Sequence, residues 1–500
     1  MPAVKVQRLS IAWMVLGVNL LITVPLAGIL NIWQDEAYTL ETTSRGISYA
    51  FHQAIGFEQN APLYFTVLSI WRHAGDGILL LRLFSVLCIA GTVLLLPGLA
   101  RRYVPQVDGV LVAAVVACNP FVVWAAVELR VYALIVLMSA LLLRTFFDAF
   151  MEDNPGKWTA IAYAACVAAA LYTQYYLAFL VAAQGATVLL YNRRAILRYV
   201  LAGGAAALAF APMLAIVPGQ VQNFKGIFAP PSIVQTCLTL TGIVLRYVLP
   251  LPIVHAKNAY VVLAVVAILA AAFARPSLKA IGRSPIVAMT AFAFAFFAAG
   301  TYLSGVHVLD RHAASLYVPV TLSIFAALAT VRFANGGRVV LVCSALAIVL
   351  SLATLVETYR HLAKPGDWAR VAEYLRNHER SGEPIAVFEA ENALPLAYYY
   401  NGTNAIVPIP HGVDFRRYDV SRFVIENETE LRSTVPRAAR LWLVTSGECA
   451  SSNVQFGCSR LEEFVAQRYR IDAEHQFYGT RVRLIEAIRA RPGTSPTTAP

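Results

Sequence analysis

Charge is the scarcest ingredient of this chain. Only 14% of its 500 residues are Asp, Glu, Lys or Arg, against about a quarter in an ordinary soluble protein. With 58% hydrophobic residues and a mean hydropathy of +0.61, that shortage excludes a soluble globular enzyme and indicates a polytopic membrane protein. Nucleotide signatures are missing as well. The sequence contains neither a GxxxxGK[ST] phosphate loop nor a GxGxxG turn, so nothing in it points to ATP or nicotinamide chemistry. Cysteine is sparse. Cys88, Cys118, Cys166, Cys237 and Cys343 sit in or beside apolar runs and read as inert core residues. Cys449 and Cys458 lie in a polar region without a further Cys or a closely spaced His pair, which argues against zinc. No long-period repeat is visible. The net charge of +11 does not indicate nucleic acid, because the basic excess falls in short clusters between apolar runs.

What is abundant is long uncharged segments, and the basic clusters order them. The run Ile11 to Ile32 carries no charge and exceeds the roughly 20 residues that cross a bilayer core of about 30 Å. It is too long for a secretory h-region and has no clear small-residue cleavage site, so it reads as a retained anchor. Lys5 and Arg8 place the N-terminus inside under the positive-inside rule. Further runs then alternate: Ile78 to Ala100, Val110 to Ala126, Val131 to Phe150, Thr159 to Tyr172, Leu177 to Leu190, Tyr199 to Val217, Ala259 to Ala274, Ile286 to Ser304, Ala313 to Val331 and Val339 to Val356. This gives about eleven spans with every basic cluster on one face. Leu63 to Trp71 is too short to span, and Ile233 to Pro252 is broken by Pro230, Pro231, Pro250 and Pro252. Both are expected to lie in or dip into the outer interface.

From about Tyr359 charges become frequent and apolar runs shorten. Trp368 to Arg380, Asn392 to Tyr400 and Arg460 to Gln467 read as helices. Pro384 to Phe388, Leu441 to Thr445 and Val482 to Ile485 read as strands. The expected organisation is a membrane domain over 1–358, a small α/β domain over 359–489 outside the cytoplasm, and a disordered Pro/Thr/Ala-rich tail over 490–500. In that setting Cys449 and Cys458 are expected to form a disulfide.

Polar clusters collect on the outer side. They are Asp35-Glu36 after the first span, Asn60-Ala61-Pro62-Leu63-Tyr64-Phe65 in the same loop, Glu128-Leu129-Arg130-Val131-Tyr132, Gln174-Tyr175-Tyr176 and Asp310-Arg311-His312. Each one alone is an ordinary helix end in an aromatic belt. Together they set acidic, basic and aromatic groups where a substrate is half in lipid and half in water. Trp33-Gln34-Asp35-Glu36-Ala37-Tyr38, then Asn60 to Phe65, then Glu128 to Leu134, resemble the successive signatures of the GT-C membrane glycosyltransferases. The family 39 group of protein mannosyltransferases and aminoarabinose transferases is the nearest likeness. Asp310-Arg311-His312 through Pro319 is similar to a later segment of that group.

The resemblance implies an all-α polytopic membrane domain and an inverting transfer of a sugar from a polyprenyl-phosphate donor to an acceptor at the outer face. Asp35 matches the first acidic position and is expected to be the base. Glu36 is the second carboxylate, capping its helix. Glu128 binds the sugar or orients Arg130. Arg130 and Arg311 are expected to grip the donor phosphate, and Arg82 either serves that phosphate or snorkels to the interface. Asn60, Tyr64, Tyr132, Gln174, Tyr175 and His312 are the expected sugar or acceptor contacts, the tyrosines alternatively being belt residues. No cofactor is called for, although a divalent metal at Asp35 stays open. The chain departs from the group at Asn60 and Gln174, where His is common, and at Ala61, where the aminoarabinose branch has Lys. This disfavours lipid A modification. The partners implied are the lipid-linked sugar, an unidentified acceptor and membrane lipid, in a bacterial inner membrane. The rival class is a transporter or flippase of a lipid-linked saccharide, which calls for paired halves and charges deep in the spans. Asp367-Trp368 resembles a motif after the last span of some relatives and carries no assigned role.

Overall fold

The computed structural model describes residues 2–224, 232–248, 277–306, 309–331, 336–446 and 456–488. The chain divides into two compact units. One comprises Met1–Gly28 and Thr42–Arg360, the other Ile29–Glu41 and His361–Pro500. The second unit thus recruits thirteen residues from the loop after the first span, which a linear boundary at 358/359 does not give.

The first unit is helical. Among the described residues, seven helices are long and apolar enough to cross a membrane: Ile11–Ile29, Ile78–Tyr103, Tyr132–Met151, Arg193–Leu214, Pro285–Ser304, Arg311–Ala329 and Arg338–Thr358. Each stands where an apolar run was expected. Thr159–Thr173 and Leu177–Tyr191 are also helical but only 15 residues each, or roughly 22 Å at 1.5 Å per residue. The expected run at 110–126 is not straight. It forms Gly109–Ala117 and Pro120–Val127, bent by 60°. The side chain of Asn119 accepts from the amide of Phe121, and Pro120 opens the second helix, a start signal that interrupts the first. Leu63–Trp71 is a helix of nine residues, and Ile233–Val248 one of 16. The expected span at 259–274 lies outside the described residues.

Close packing in this unit depends on small residues. A side chain at Gly109 would meet the backbone of Pro97 at 2.7 Å, and one at Gly300 would meet the Phe179 ring at 2.3 Å. The first contact brings Gly109–Ala117 onto Ile78–Tyr103, the second Leu177–Tyr191 onto Pro285–Ser304.

The second unit contains a five-stranded sheet in the order β2-β1-β3-β5-β4. Its strands are β1 (Ile385–Phe388), β2 (Ile406–Pro408), β3 (Arg440–Ser446), β4 (Tyr469–Phe477) and β5 (Thr480–Ala487). β1 pairs in parallel with β2 and β3, while β5 pairs antiparallel with β3 and β4. Both faces are covered. Leu441 and Leu443 face Leu461 and Phe464 of the Cys458–Arg468 helix, whereas Trp442 and Val444 face Val371 and Leu375 of the Trp368–His378 helix. That double burial makes β3 an almost unbroken apolar run. β2 and β4 were not expected from the sequence. β4 is an edge strand whose residues are mostly exposed, and its alternating Tyr469, Ile471, Ala473 and Phe477 are set among charged and polar residues. Cys458 is buried at the start of its helix. Cys449, and with it the expected disulfide, lies outside the described residues, as does the tail at 490–500.

Candidate active site

In the second unit the acidic pair opens the helix Gln34–Thr42, where carboxylates complement the exposed amides and the helix dipole. Glu36 is fully buried. Its Oε2 lies 2.8 Å from Lys364 Nζ and accepts from the amide of Trp33 at 3.4 Å. The amide of Lys364 donates to Asn31 Oδ1 at 2.8 Å, and the amide of Ile32 donates to the Tyr399 hydroxyl at 2.8 Å. Asp35 is 9% exposed, and its carbonyl accepts from Thr39 Oγ1 at 3.1 Å. One helical turn on, the hydroxyls of Tyr38 and Tyr418 both donate to Glu391 Oε1. Burial first, and the Glu391 charge second, hold the Tyr38 phenol well above its ordinary pKa. Lys364 and Glu391 are missing from the sequence reading. Glu36 is buried against Lys364, and a divalent cation at Asp35 would draw most of its ligands from water or phosphate oxygens. Among the described residues no group of three or more His, Cys, Asp or Glu could hold one.

In the first unit, Arg130 pairs with Glu58, which the sequence reading did not single out. Arg130 Nη1 lies 2.9 and 3.1 Å from the two carboxylate oxygens, and the two side chains are 9% and 3% exposed. Thr42 Oγ1 donates to Glu58 Oε1 at 3.2 Å, Asn60 Nδ2 donates to the Glu58 carbonyl at 2.9 Å, and the guanidinium sits 5.8 Å from the Phe65 ring centroid. Glu58 is thus a buried carboxylate partner of Arg130. Gln59, next in sequence, holds a left-handed φ of 51°.

Arg82 does not snorkel. It is fully buried and donates from Nη1 to the Ala27 carbonyl at 2.9 Å. Glu128 is also buried, and its carbonyl accepts from Ser85 Oγ at 2.7 Å. Both charges act on Tyr359, whose phenol is pushed up by burial and by Glu128 and pulled down by Arg82.

Most of the expected sugar contacts are engaged within the protein. Tyr64 is buried edge-to-face on Phe65, and Tyr132 stacks on Trp124 at 4.8 Å. The Tyr175 hydroxyl donates to Gln220 Oε1 at 2.9 Å, and Gln220 donates in turn to the Ile55 carbonyl. Gln174 is buried, with Oε1 lacking a hydrogen-bond partner among the described residues. Tyr176 is sandwiched between Phe297 and His312, each centroid 5.1 Å away. His312 and Arg311 belong to the turn Asp310–Leu316. That turn packs on the helix Tyr132–Phe146, and Ser139 Oγ donates to the Ser315 carbonyl at 2.9 Å. The segment bearing Arg311 thus lies against the helix that follows Arg130, 181 positions earlier in the numbering.

Asp367-Trp368 now has a structural reading. Trp368 is buried in the core of the second unit, and Gly366 is required beside it, since a side chain there would meet Trp368 Nε1 at 2.3 Å. Asp367, with a left-handed φ of 48°, pairs with Arg370 at 2.9 Å.

The sequence profile of a family described as dolichyl-phosphate-mannose-protein mannosyltransferase matches residues 60–217. No curated protein matches the chain in sequence. Among solved structures, the crystal structure of ArnT from Cupriavidus metallidurans in the apo state is similar at TM-score 0.56 and 12% identity, covering 97% of this chain and 98% of that one. The same protein bound to undecaprenyl phosphate gives TM-score 0.55 and 13% identity, covering 94% and 97%. The chain has the GT-C fold. That fold extends from the first span through the C-terminal sheet unit, because the likeness runs over nearly the full length of both chains. The profile match includes Asn60, Tyr64, Arg130, Tyr132, Gln174 and Tyr175. Asp35, Glu36, Arg311 and His312 fall outside it.

Proposed function

We propose that this protein is a membrane glycosyltransferase that moves a sugar from a polyprenyl-phosphate donor to an acceptor at the outer face of the membrane. The observation that carries the reading is the acidic pair at the exit of the first span of a GT-C fold, with one carboxylate neutralised by Lys364 and Asp35 beside it. The family profile over 60–217 and the undecaprenyl phosphate bound by the similar ArnT structure support the donor class.

Asp35 acts as the general base, a role worth typically 10²–10⁴-fold. It takes the proton from the acceptor hydroxyl as the acceptor oxygen bonds to the anomeric carbon. The anomeric carbon–oxygen bond to phosphate breaks, and polyprenyl phosphate departs with the electron pair. Arg130 and Arg311 hold the departing phosphate, a job suited to the planar guanidinium. Because Arg130 faces Glu58, donor phosphate must share or replace that carboxylate. Arg82 is assigned a structural role with Glu128 and Tyr359.

The test is to incubate the purified full chain in lipid vesicles with labelled polyprenyl-phosphate sugars and candidate acceptors. Label on an acceptor with release of polyprenyl phosphate is the expected result. Labelled lipid crossing the bilayer with no transferred sugar would replace the reading with that of a transporter.

A further inference from the structure

Lys364 is a few residues beyond the last membrane helix, where a basic residue ordinarily marks topology or reaches for lipid headgroups. Its setting is different. Lysine is almost never buried without a partner, and this one is 7% exposed, with Nζ 2.8 Å from the fully buried Glu36 carboxylate. Its main chain is held as well, by the amide bond to Asn31 Oδ1 at 2.8 Å. One residue thus grips the loop after the first span and the first turn of the next helix.

The grip is anchored in the sheet. Gly366 donates its amide to the Tyr478 carbonyl at 2.9 Å and accepts from Thr480 Oγ1 at 2.6 Å, Thr480 being the first residue of β5. From the Ala393–Tyr399 helix, the Tyr399 hydroxyl holds the amide of Ile32 at 2.8 Å. Hydrogen bonds at Gly366 and at Lys364, joined by the intervening backbone through Pro365, therefore link β5 to Glu36. Asp35 precedes Glu36 in the same helical turn, about 100° around the axis. Fixing Glu36 and the peptide before it fixes the direction of the Asp35 Cα–Cβ bond.

We infer that Lys364 is a positioning residue through which the C-terminal unit sets the geometry of the catalytic carboxylate. The inference rests on Asp35 being the base. It gives the C-terminal unit a part in turnover itself, beyond contributing stability or acceptor choice. A displacement of about 1 Å at a reacting group can cost on the order of a hundredfold in rate. Loss of the grip should therefore appear in kcat, while donor affinity, set by other residues, stays put.

The experiment measures steady-state sugar transfer by the full-length protein in vesicles for wild type, Lys364→Met, Lys364→Arg and the pair Glu36→Gln with Lys364→Met. Lys364→Met is expected to lower kcat at least about tenfold with the donor KM within about twofold. Lys364→Arg should recover part of the loss, since it keeps the charge with a different reach. The double variant removes both charges of this ion pair and so tests the idea even if Lys364→Met does not fold. It should stay slow, because the grip is still absent. Wild-type kcat in Lys364→Met, or full recovery in the double variant, would overturn the inference while leaving the transferase reading intact. If wild type itself transfers no sugar, or Asp35→Asn keeps its turnover, the underlying reading fails instead.

Discussion

Two buried ion pairs invite comparison. Glu58–Arg130 links partners 72 residues apart in the helical unit, and Glu36–Lys364 links partners 328 residues apart in the other. In each, one member comes from a motif legible in the sequence and the other from a place with no visible signature. Their surroundings differ. Arg130 faces both oxygens of its carboxylate, with a threonine hydroxyl and an aromatic ring beside it. Lys364 Nζ lies 2.8 Å from Glu36 Oε2, and its backbone amide is held by Asn31. The first arrangement keeps a guanidinium oriented for an anion that could take the place of the carboxylate. The second is tied into the sheet and fixes a helix start. An ion pair's worth thus lies less in its own strength, since desolvation offsets much of the attraction, than in what it holds still.

The largest expected effect removes what the second pair serves. Asp35→Asn keeps size and polarity but abolishes the charge, and turnover should fall by at least roughly a hundredfold with insertion unchanged. Steady-state transfer assays beside a protease-protection assay check this. Near-normal turnover would shift the base elsewhere and remove the functional half of the comparison.

The next effect separates the two pairs. Glu58→Gln leaves a buried guanidinium without its countercharge, which should cost about 3–5 kcal/mol of stability. Added undecaprenyl phosphate should restore more of the thermal midpoint in this variant than it adds to wild type, because the anion supplies the missing charge. Equal shifts in both proteins would mean that Arg130 does not meet the donor.

The smallest effect concerns Tyr38, whose phenol is raised by burial and then by Glu391. A raised folded-state pKa favours the protonated native form. Its contribution is therefore fully present below the unfolded value, about 10, and is lost as pH climbs through the higher folded value. Stability should decline above about pH 10, and Tyr38→Phe should flatten that decline. An unchanged alkaline profile in thermal unfolding would detach Tyr38 from the Glu391 network.

The fold was largely legible because membrane spans obey one strong rule. Ile78–Tyr103 or Pro285–Ser304 can be read from length and apolarity alone. The bend at Asn119-Pro120 carried its signal in a capping Asn before Pro, but the apolarity on both sides hid it. β4 was hidden for the opposite reason, its alternating Tyr469, Ile471, Ala473 and Phe477 being spread among charged and polar residues on an exposed edge. At the candidate site, Asp35, Arg130 and Arg311 stood out because charge is rare near spans. Glu58 stood beside Gln59 and Asn60 like any polar loop residue, and Lys364 like any charge after a last helix. Pairings across 72 or 328 residues depend on tertiary geometry, which local pattern does not encode.

The recruitment of Ile29–Glu41 into the C-terminal unit also has a consequence for the order of synthesis. Glu36 leaves the ribosome 328 residues before Lys364, a delay of roughly 15–65 s at about 5–20 residues per second. Throughout that interval the acidic turn waits without Lys364. The nascent chain therefore cannot assemble its proposed base in finished form until nearly three quarters of it has been made. A product truncated before the sheet would be inserted and inactive.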